Sequence, residues 1–282
     1  MANTLNKTYR ELSFPHFKEV FVIMDEVCRE MGIEYYLIGA QARDLHLLEN
    51  GIKPGRGTND IDFAVMLPEM DVYEHLKERI IDRGFRKVNE PYRLIFDKTD
   101  TVIDLLPFGE IEEEGTVIFT DRKTELSVVG MKEVNDHSVV VNFQDFSITI
   151  SPLVGIVILK LISFSDKPER KKDLDDIYVI LNSYFEINKE EFYESHTDML
   201  EEIETDNFIL LAGARMMGRD IKKIIAISPV LTTRIVGILE LELQEQTGSI
   251  TQYFLSRELY KEHGLVKSIF IQILKGIEEL KC

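Results

Sequence analysis

The chain has 282 residues and a mass of 32.7 kDa, enough for one large or two ordinary domains. Its net charge of −17 opposes broad non-specific binding to nucleic acid, because the long-range field repels phosphate backbones. Hydrophobic residues make up 44 %, yet no apolar run is long enough to span a bilayer, and two cysteines provide no disulfide framework. The N-terminus lacks the apolar core of a signal peptide, so we expect a cytoplasmic protein.

Helical and strand patterns alternate through the first part of the chain. Ser13 as N-cap and Pro15 in the first turn predict the start of a helix. Its buried stripe recurs at helical spacing over Phe17, Val20, Phe21, Met24, Val27, Cys28 and Met31. Aromatic and β-branched residues at 35–38 predict a buried strand that ends at Gly39. A second amphipathic helix is predicted over residues 69–82.

The rest of the chain divides into a part rich in strands and a part rich in helices. Short strands are predicted at residues 92–96, 102–106, 117–119 and, in two pieces around 144–145, at 138–150. After Ser151-Pro152, which has the chemistry of a helix N-cap and first turn, almost every segment has helical periodicity. We therefore predict an α+β protein, with a mixed sheet and helices on one face over residues 1–150 and an all-α bundle over 151–282.

Asp60 and Asp62 are the most informative residues of the chain. Side chains alternate between the faces of a strand, so these two carboxylates point the same way while Ile61 enters the core. Adjacent carboxylates repel unless a cation neutralises them, and a divalent metal ion is the most suitable cation. The pair therefore predicts a metal site, and because Asp-x-Asp is common by chance, that prediction depends on the neighbouring segments.

Two neighbouring segments fit such a site. Gly39 leads from a strand into a helix, and a helix N-terminus presents backbone N–H groups that suit an anion. Asp104 interrupts the apolar run at 101–106, where a third ligand can approach from a separate strand. A phosphate-binding turn together with three carboxylates is what a nucleoside triphosphate and its Mg²⁺ require.

Charged residues at the start of the helical part have two interpretations. Lys160 is the only charge in the apolar helix at 153–164, so its ammonium needs either a structural carboxylate or a bound triphosphate as its partner. Asp173 and Asp176 share a face near a helix N-terminus. The residues alone favour a structural role for them, with Asp176 paired to Lys172 on the surface.

Taken together, these residues resemble the nucleotidyltransferase superfamily related to DNA polymerase β. The matching order is Gly39-Ala40, Thr58, Asp60, Asp62, Asp104, Lys160, Arg170, Asp173 and Asp176. Within the superfamily, the pattern is most similar to the AbiEii/AbiGii-type nucleotidyltransferase toxins of bacterial abortive-infection and type IV toxin–antitoxin systems. The resemblance covers about residues 34–181, and the remaining residues match only in being helical.

The resemblance implies an enzyme and a role for each matching residue. Asp60 and Asp62 would bind the Mg²⁺ or Mn²⁺ that holds the NTP. Asp104 would share a second metal ion and help to activate the acceptor hydroxyl. The turn Gly39-Ala40-Gln41 would bind the phosphates without the usual serine, and Lys160 would neutralise the leaving pyrophosphate. The other nucleotide-binding candidates are Arg43, Thr58, Arg170, Asp173 and Asp176.

The acceptor is left open between the 3′ end of an RNA, a hydroxyl-bearing protein side chain and a small molecule such as an antibiotic. An antitoxin protein is the partner that the resemblance implies, and no membrane is expected. A binding module with this fold but without turnover is the main alternative, and loss of one of the three carboxylates would have favoured it.

A metal-dependent phosphohydrolase would need histidine ligands beside the aspartates. His46, His75 and His137 lack metal-ligand spacing, and His46 is assigned to a helix surface. Gly213 and Gly218 are interpreted as glycines of helix packing or of a helix break, because no strand precedes them as in a phosphate-binding loop.

Overall fold

The structure is a computed structural model that describes residues 17–55, 60–120, 123–143, 146–203, 205–244 and 248–279. The chain forms two compact units, which divide between Pro152 and Leu153. Ser13, Pro15, Thr58 and the pair Gln144-Asp145, on which predictions above depend, lie outside the described residues.

The first unit combines strands with four helices in its described residues. In chain order the elements are α1 (Phe17–Met31), β1 (Tyr35–Ile38), α2 (Gly39–Glu49), β2 (Asp60–Met66), α3 (Met70–Ile81), β3 (Phe85–Lys87), β4 (Arg93–Phe96), β5 (Thr101–Phe108), β6 (Thr116–Phe119), β7 (Thr124–Ser127), α4 (Met131–Asn135), β8 (Val139–Asn142) and β9 (Ser147–Ile150).

Seven of these strands form one mixed sheet in the order β3-β4-β5-β2-β1-β9-β8. β2 lies at its centre, parallel to β5 and antiparallel to β1. Apolar side chains of the central strands are fully buried, among them Leu37, Ile61, Phe63, Ile103 and Leu105. This mixed sheet, followed by a helical unit, confirms the predicted α+β class.

Hydrophobic periodicity predicts most of these elements within a few residues. α1 buries Phe17, Val20, Phe21, Met24, Val27 and Cys28, the predicted stripe except for its last member, Met31. α3 matches the helix predicted at 69–82 to within one residue at each end. The sequence pattern does not predict β3, β7 or α4, because elements of three to five residues are too short to show a period.

The second unit is helical throughout its described residues. Its helices are α5 (Leu153–Asp166), α6 (Lys172–Ile187), α7 (Lys189–Ser195), α8 (Met199–Glu202), α9 (Phe208–Ile225), α10 (Pro229–Leu241), α11 (Ser249–Ser256) and α12 (His263–Glu278). None of the helices in the described ranges has the length and apolar character that crossing a bilayer requires.

Glycines allow three helices of this unit to pack closely. A Cβ added to Gly218 of α9 would lie 2.1 Å from the carbonyl oxygen of Ile273 in α12, and one added to Gly276 would lie 2.2 Å from the carbonyl oxygen of Arg215. A Cβ on Gly213 would lie 3.1 Å from the backbone nitrogen of Phe185 in α6. Gly213 and Gly218 therefore serve helix packing, the first of the two roles considered from the sequence.

Replacing Gly218 by alanine should destabilise the second unit by about 2 kcal/mol, because the added methyl forces α9 away from α12. Gly237→Ala in α10 is the matched control, since a Cβ there meets nothing within 4 Å. The control should gain up to about 1 kcal/mol from helix propensity. Urea unfolding measures both changes, and equal stabilisation of the two variants would contradict the packing account.

Candidate active site

The Asp60–Asp62 pair lies on β2, as its sequence pattern predicts. Both side chains are half-buried, while Ile61 between them is fully buried. The alternation follows from the pleat of the strand, which sends Ile61 into the core and both carboxylates to the opposite face. Two negative charges therefore meet on one face of the central strand.

Strand register extends this pair into a row of charged residues. Asp62 is the Cα partner of Asp104 on the parallel strand β5, and Asp104 is the partner of Arg93 on the antiparallel strand β4. Residues opposite one another on paired strands project to the same face, at the spacing of adjacent strands. Arg93, Asp104 and Asp62 thus follow one another across three neighbouring strands.

The turn from β1 into α2 completes one end of this row. Ile38 is the strand partner of Asp62, and Gly39 follows it with φ +70°. A Cβ on Gly39 would lie only 2.4 Å from Oδ2 of Asp62. Glycine is needed here for two reasons, its positive φ and the close approach of the backbone to a carboxylate.

The start of α2 offers backbone N–H groups beside the carboxylates. Its N-cap, Ile38, makes no side-chain capping hydrogen bond, and the first turn contains no acidic residue. The Gln41 side chain is buried, and its Oε1 has no hydrogen-bond partner among the described residues. Arg43 is buried as well, with its Nε 2.8 Å from Oδ1 of Asp44. Gly39 and Ala40 are half-buried and are thus the more exposed residues of the turn.

Gly39→Ala and Gly51→Ala form a matched pair, because the two glycines have φ of +70° and +72° and only Gly39 approaches another residue. The free energy of unfolding of Gly51→Ala should fall by about 1 kcal/mol through backbone strain alone. Gly39→Ala should lose at least about 1 kcal/mol more, because its methyl displaces Asp62. It should also weaken Mn²⁺ binding, which Gly51→Ala leaves unchanged. Urea unfolding and Mn²⁺ titration test this, and identical behaviour of the two variants would contradict it.

Arg93 is a member of the site that the sequence does not reveal. Its Nε and one terminal nitrogen donate to the two oxygens of Asp104 at 2.7 and 2.8 Å, and the same terminal nitrogen lies 3.6 Å from Oδ2 of Asp60. Burial raises the pKa of the Asp104 carboxyl, and the hydrogen bonds from Arg93 counter that rise by stabilising the charged form. Hydrogen bonding to Asp104 likewise raises the pKa of Arg93.

The carboxylate pair has the right donor chemistry for a hard divalent cation. Mg²⁺ is usually held by one or two carboxylates together with substrate phosphates and waters, and Asp60 with Asp62 supplies such a pair. No group of three or more His, Cys, Asp or Glu side chains within the described ranges is arranged to hold a metal ion. Asp104, the predicted third ligand, has both oxygens bound to Arg93.

In the second unit, the predicted residues form an ionic cluster. Nζ of Lys160 lies 3.0 Å from Oδ1 of Asp173 and 2.5 Å from Oδ2 of Asp176. Burial would lower the pKa of Lys160, but the two carboxylates outweigh it and raise that pKa. Nε of Arg170 donates to Asp173 at 2.9 Å, and the Arg170 side chain stays 54 % exposed. Lys160 therefore has structural carboxylates as partners in this structure.

One assignment from the sequence is wrong, and one burial was not predicted. Asp173 is buried, since Lys160 and Arg170 compensate its charge. His46 is half-buried instead of lying on a helix surface, and its Nε2 is 2.8 Å from the carbonyl oxygen of Ser151. Burial lowers the pKa of His46. In both cases a partner from another element, which helical periodicity does not show, determines the burial.

Comparison with known proteins finds likeness to solved structures at low sequence identity. No protein-family model and no curated protein matches the chain. The lincomycin-bound lincosamide antibiotic adenylyltransferase LnuA is 19 % identical over 50 % of this chain and 84 % of its own, with a TM-score of 0.34. A CCA-adding enzyme in complex with ATP is 18 % identical over 94 % of this chain and 69 % of its own, also with a TM-score of 0.34.

The antibiotic-resistance factor ANT(2'')-Ia is 13 % identical over 65 % of this chain and 94 % of its own, with a TM-score of 0.35. Because all three TM-scores are this low, the likeness decides neither the fold nor the activity of this chain. Evidence for a function therefore comes from the residues of the site.

Proposed function

We propose that this chain is a nucleotidyltransferase that moves a nucleoside monophosphate from an NTP to an acceptor hydroxyl. The observation that supports this proposal is the row of Arg93, Asp104 and Asp62 on one face of the sheet, with the Gly39 backbone against Asp62. Nucleotidyl transfer depends on positioning and on neutralising charge, which carboxylates, backbone N–H groups and a cation can provide.

The proposed reaction is an in-line displacement at the α-phosphorus. The acceptor oxygen forms a bond to this phosphorus, the bond from phosphorus to the α–β bridging oxygen breaks, and pyrophosphate leaves with the bonding electrons. Asp104 takes the hydroxyl proton, a role that suits a carboxyl whose pKa burial raises. A bound Mg²⁺ or Mn²⁺ supplies positive charge against the triphosphate, and Asp60 and Asp62 are its proposed ligands.

Other residues are proposed to bind the nucleotide phosphates. Backbone N–H groups of Gly39 and Ala40 would donate to phosphate oxygens, as at other helix N-termini. Lys160, Arg170, Asp173 and Asp176 stay nucleotide-binding candidates on the resemblance alone. Gln41, Arg43 and Thr58 remain candidates for the same phosphates.

The finer proposal is that the chain acts as a toxin of a toxin–antitoxin or abortive-infection system, with an antitoxin protein as its partner. Its support is the motif order from Gly39 to Asp176, which resembles such toxins. The acceptor would then be an RNA 3′ end or a protein hydroxyl, and a small molecule such as an antibiotic is the alternative acceptor.

The experiment is an incubation of the purified chain with each α-³²P-labelled NTP, with Mg²⁺ or Mn²⁺, and with separate fractions of cellular RNA, protein and small molecules. Label that enters one fraction, with one nucleotide preferred, identifies the acceptor class and the base together. Binding of NTP without label in any fraction would contradict the proposal and support a binding module without turnover.

A further inference from the structure

Arg93 lies outside every motif that suggests nucleotidyl transfer, yet it makes two hydrogen bonds to Asp104. Its position is set by strand register, because β4 runs antiparallel to β5 and pairs Arg93 with Asp104. The side chain of Arg93 is 28 % exposed and that of Asp104 is 10 % exposed. Solvent therefore screens this ion pair less than it would screen a pair on the surface.

The two hydrogen bonds occupy both oxygens of Asp104. The guanidinium holds them at 2.7 and 2.8 Å, which is the parallel two-bond geometry of strong arginine–carboxylate pairs. Asp60 is in a different position, because its Oδ2 is 3.6 Å from Arg93 and its side chain is 43 % exposed. Each Asp104 oxygen then keeps one lone pair, and the adjacent guanidinium charge opposes the binding of a metal ion or a proton there.

We propose that Arg93 is a positioning residue that keeps Asp104 from cations until an NTP is bound. In the nucleotide-free protein, a divalent cation then binds at Asp60 and Asp62 without Asp104. When a triphosphate binds, a phosphate oxygen replaces Asp104 as the partner of Arg93, because phosphate offers the guanidinium an equally well-shaped and more highly charged acceptor. Asp104 is thereby released for the metal and the acceptor hydroxyl. This inference rests on the proposed function.

Keeping Asp104 from cations in the nucleotide-free protein has an electrostatic consequence. Together with Asp60, the row of Arg93, Asp104 and Asp62 holds three carboxylates and one guanidinium, so its charge is −2, whereas without Arg93 it would be −3. Cations without a nucleotide are attracted less strongly, and the third carboxylate becomes available only when the substrate is present. Arg93 would thus couple assembly of the full ligand set to substrate binding, as expected of a coupling between two sites.

The test is a double-mutant cycle on Mn²⁺ affinity, measured by the electron paramagnetic resonance signal of free Mn²⁺. The four proteins are the wild type, Arg93→Met, Asp104→Asn and the double variant. Long-range charge effects of the two substitutions are roughly additive in the logarithm of Kd, so non-additivity reports direct coupling of the residues. We expect Asp104→Asn to weaken Mn²⁺ binding about tenfold more in the Arg93→Met background than in the wild type.

One further variant and one nucleotide analogue test the interpretation in the same titration. Arg93→Lys keeps the charge without the two-bond geometry and should show a smaller part of the same coupling, which covers the case in which Arg93→Met does not fold. An NTP analogue with a methylene α–β bridge should abolish the coupling, because Arg93 has then already left Asp104. Additive effects without nucleotide, or coupling that persists with the analogue, would overturn the proposal.

The same titration separates this inference from the proposed function. Asp60→Asn with Asp62→Asn should lose Mn²⁺ binding in every background. If that variant binds Mn²⁺ like the wild type, the metal site itself is wrong, and the proposed function fails with it. If it loses binding while the cycle at Arg93 and Asp104 is additive, only the role of Arg93 is wrong.

Discussion

Replacing Asp60 and Asp62 together by asparagine should reduce nucleotidyl transfer at least about a thousandfold, because the variant loses the charges that hold the cation against the triphosphate. The fold should persist. Asparagine has the size of aspartate, both side chains are half-buried, and removing two adjacent negative charges relieves their repulsion. Transfer is measured with α-labelled NTP, and folding by thermal unfolding.

A matched control is available in the same sheet. Asp97 and Asp100 flank the turn between β4 and β5 and pair with Arg86 at 2.8 and 2.6 Å on the exposed surface. Asp97→Asn with Asp100→Asn removes the same number of charges away from the row and should keep transfer within about twofold, since exposed ion pairs contribute little. Equal loss of activity in both double variants would show that total charge, and not the Asp60–Asp62 pair, is responsible.

Replacing Lys160 by methionine should destabilise the second unit by about 3 kcal/mol, because it leaves two poorly solvated carboxylates without their shared cation. Methionine matches the length of the lysine stem, so the loss measures charge more than packing. Urea unfolding gives the free-energy difference. Asp173→Asn with Asp176→Asn in the Lys160→Met background should recover part of the loss, because it removes the uncompensated charges.

The effect should also depend on pH in a defined direction. Burial would raise the pKa of Asp173, but Lys160 and Arg170 outweigh it and hold that pKa below the ordinary value. Stabilisation by the pairing of Lys160 with Asp173 is therefore fully present above the unfolded-state pKa of Asp173, about 3.9. It declines as the pH falls through the lower folded-state pKa of Asp173. The cost of Lys160→Met should accordingly shrink below about pH 4. A cost that is constant with pH would contradict the ionic origin.

The sequence predicts the carboxylate row better than it predicts the cations. Asp60, Asp62 and Asp104 lie in strands whose apolar alternation is readable from the chain, so their placement in one sheet could be inferred. The pairing of Arg93 with Asp104 could not, because it depends on the register of two strands joined by a turn. One usable signal was present, since Arg93 alternates with buried Leu94 and Phe96 and thus faces away from them.

The partners of Lys160 show the same limit in the helical unit. A lone lysine in an apolar helix requires an anion, and the sequence supports that much. The choice between a structural carboxylate and a nucleotide phosphate depends on how α5 packs against α6, which brings Asp173 and Asp176 to the ammonium. Contacts with other elements, and not local propensity, also account for the misassigned His46 and for the burial of Asp173.

The most direct test of nucleotidyl transfer compares ATP labelled at the α-phosphate with ATP labelled at the γ-phosphate, or the corresponding pair for whichever base the acceptor screen favours. The proposed reaction places the α label on the acceptor and the γ label in released pyrophosphate, and both products disappear with the Asp60/Asp62 double substitution. Transfer of the γ label to the acceptor, or release of labelled inorganic phosphate without pyrophosphate, would contradict it and identify phosphoryl transfer or hydrolysis instead.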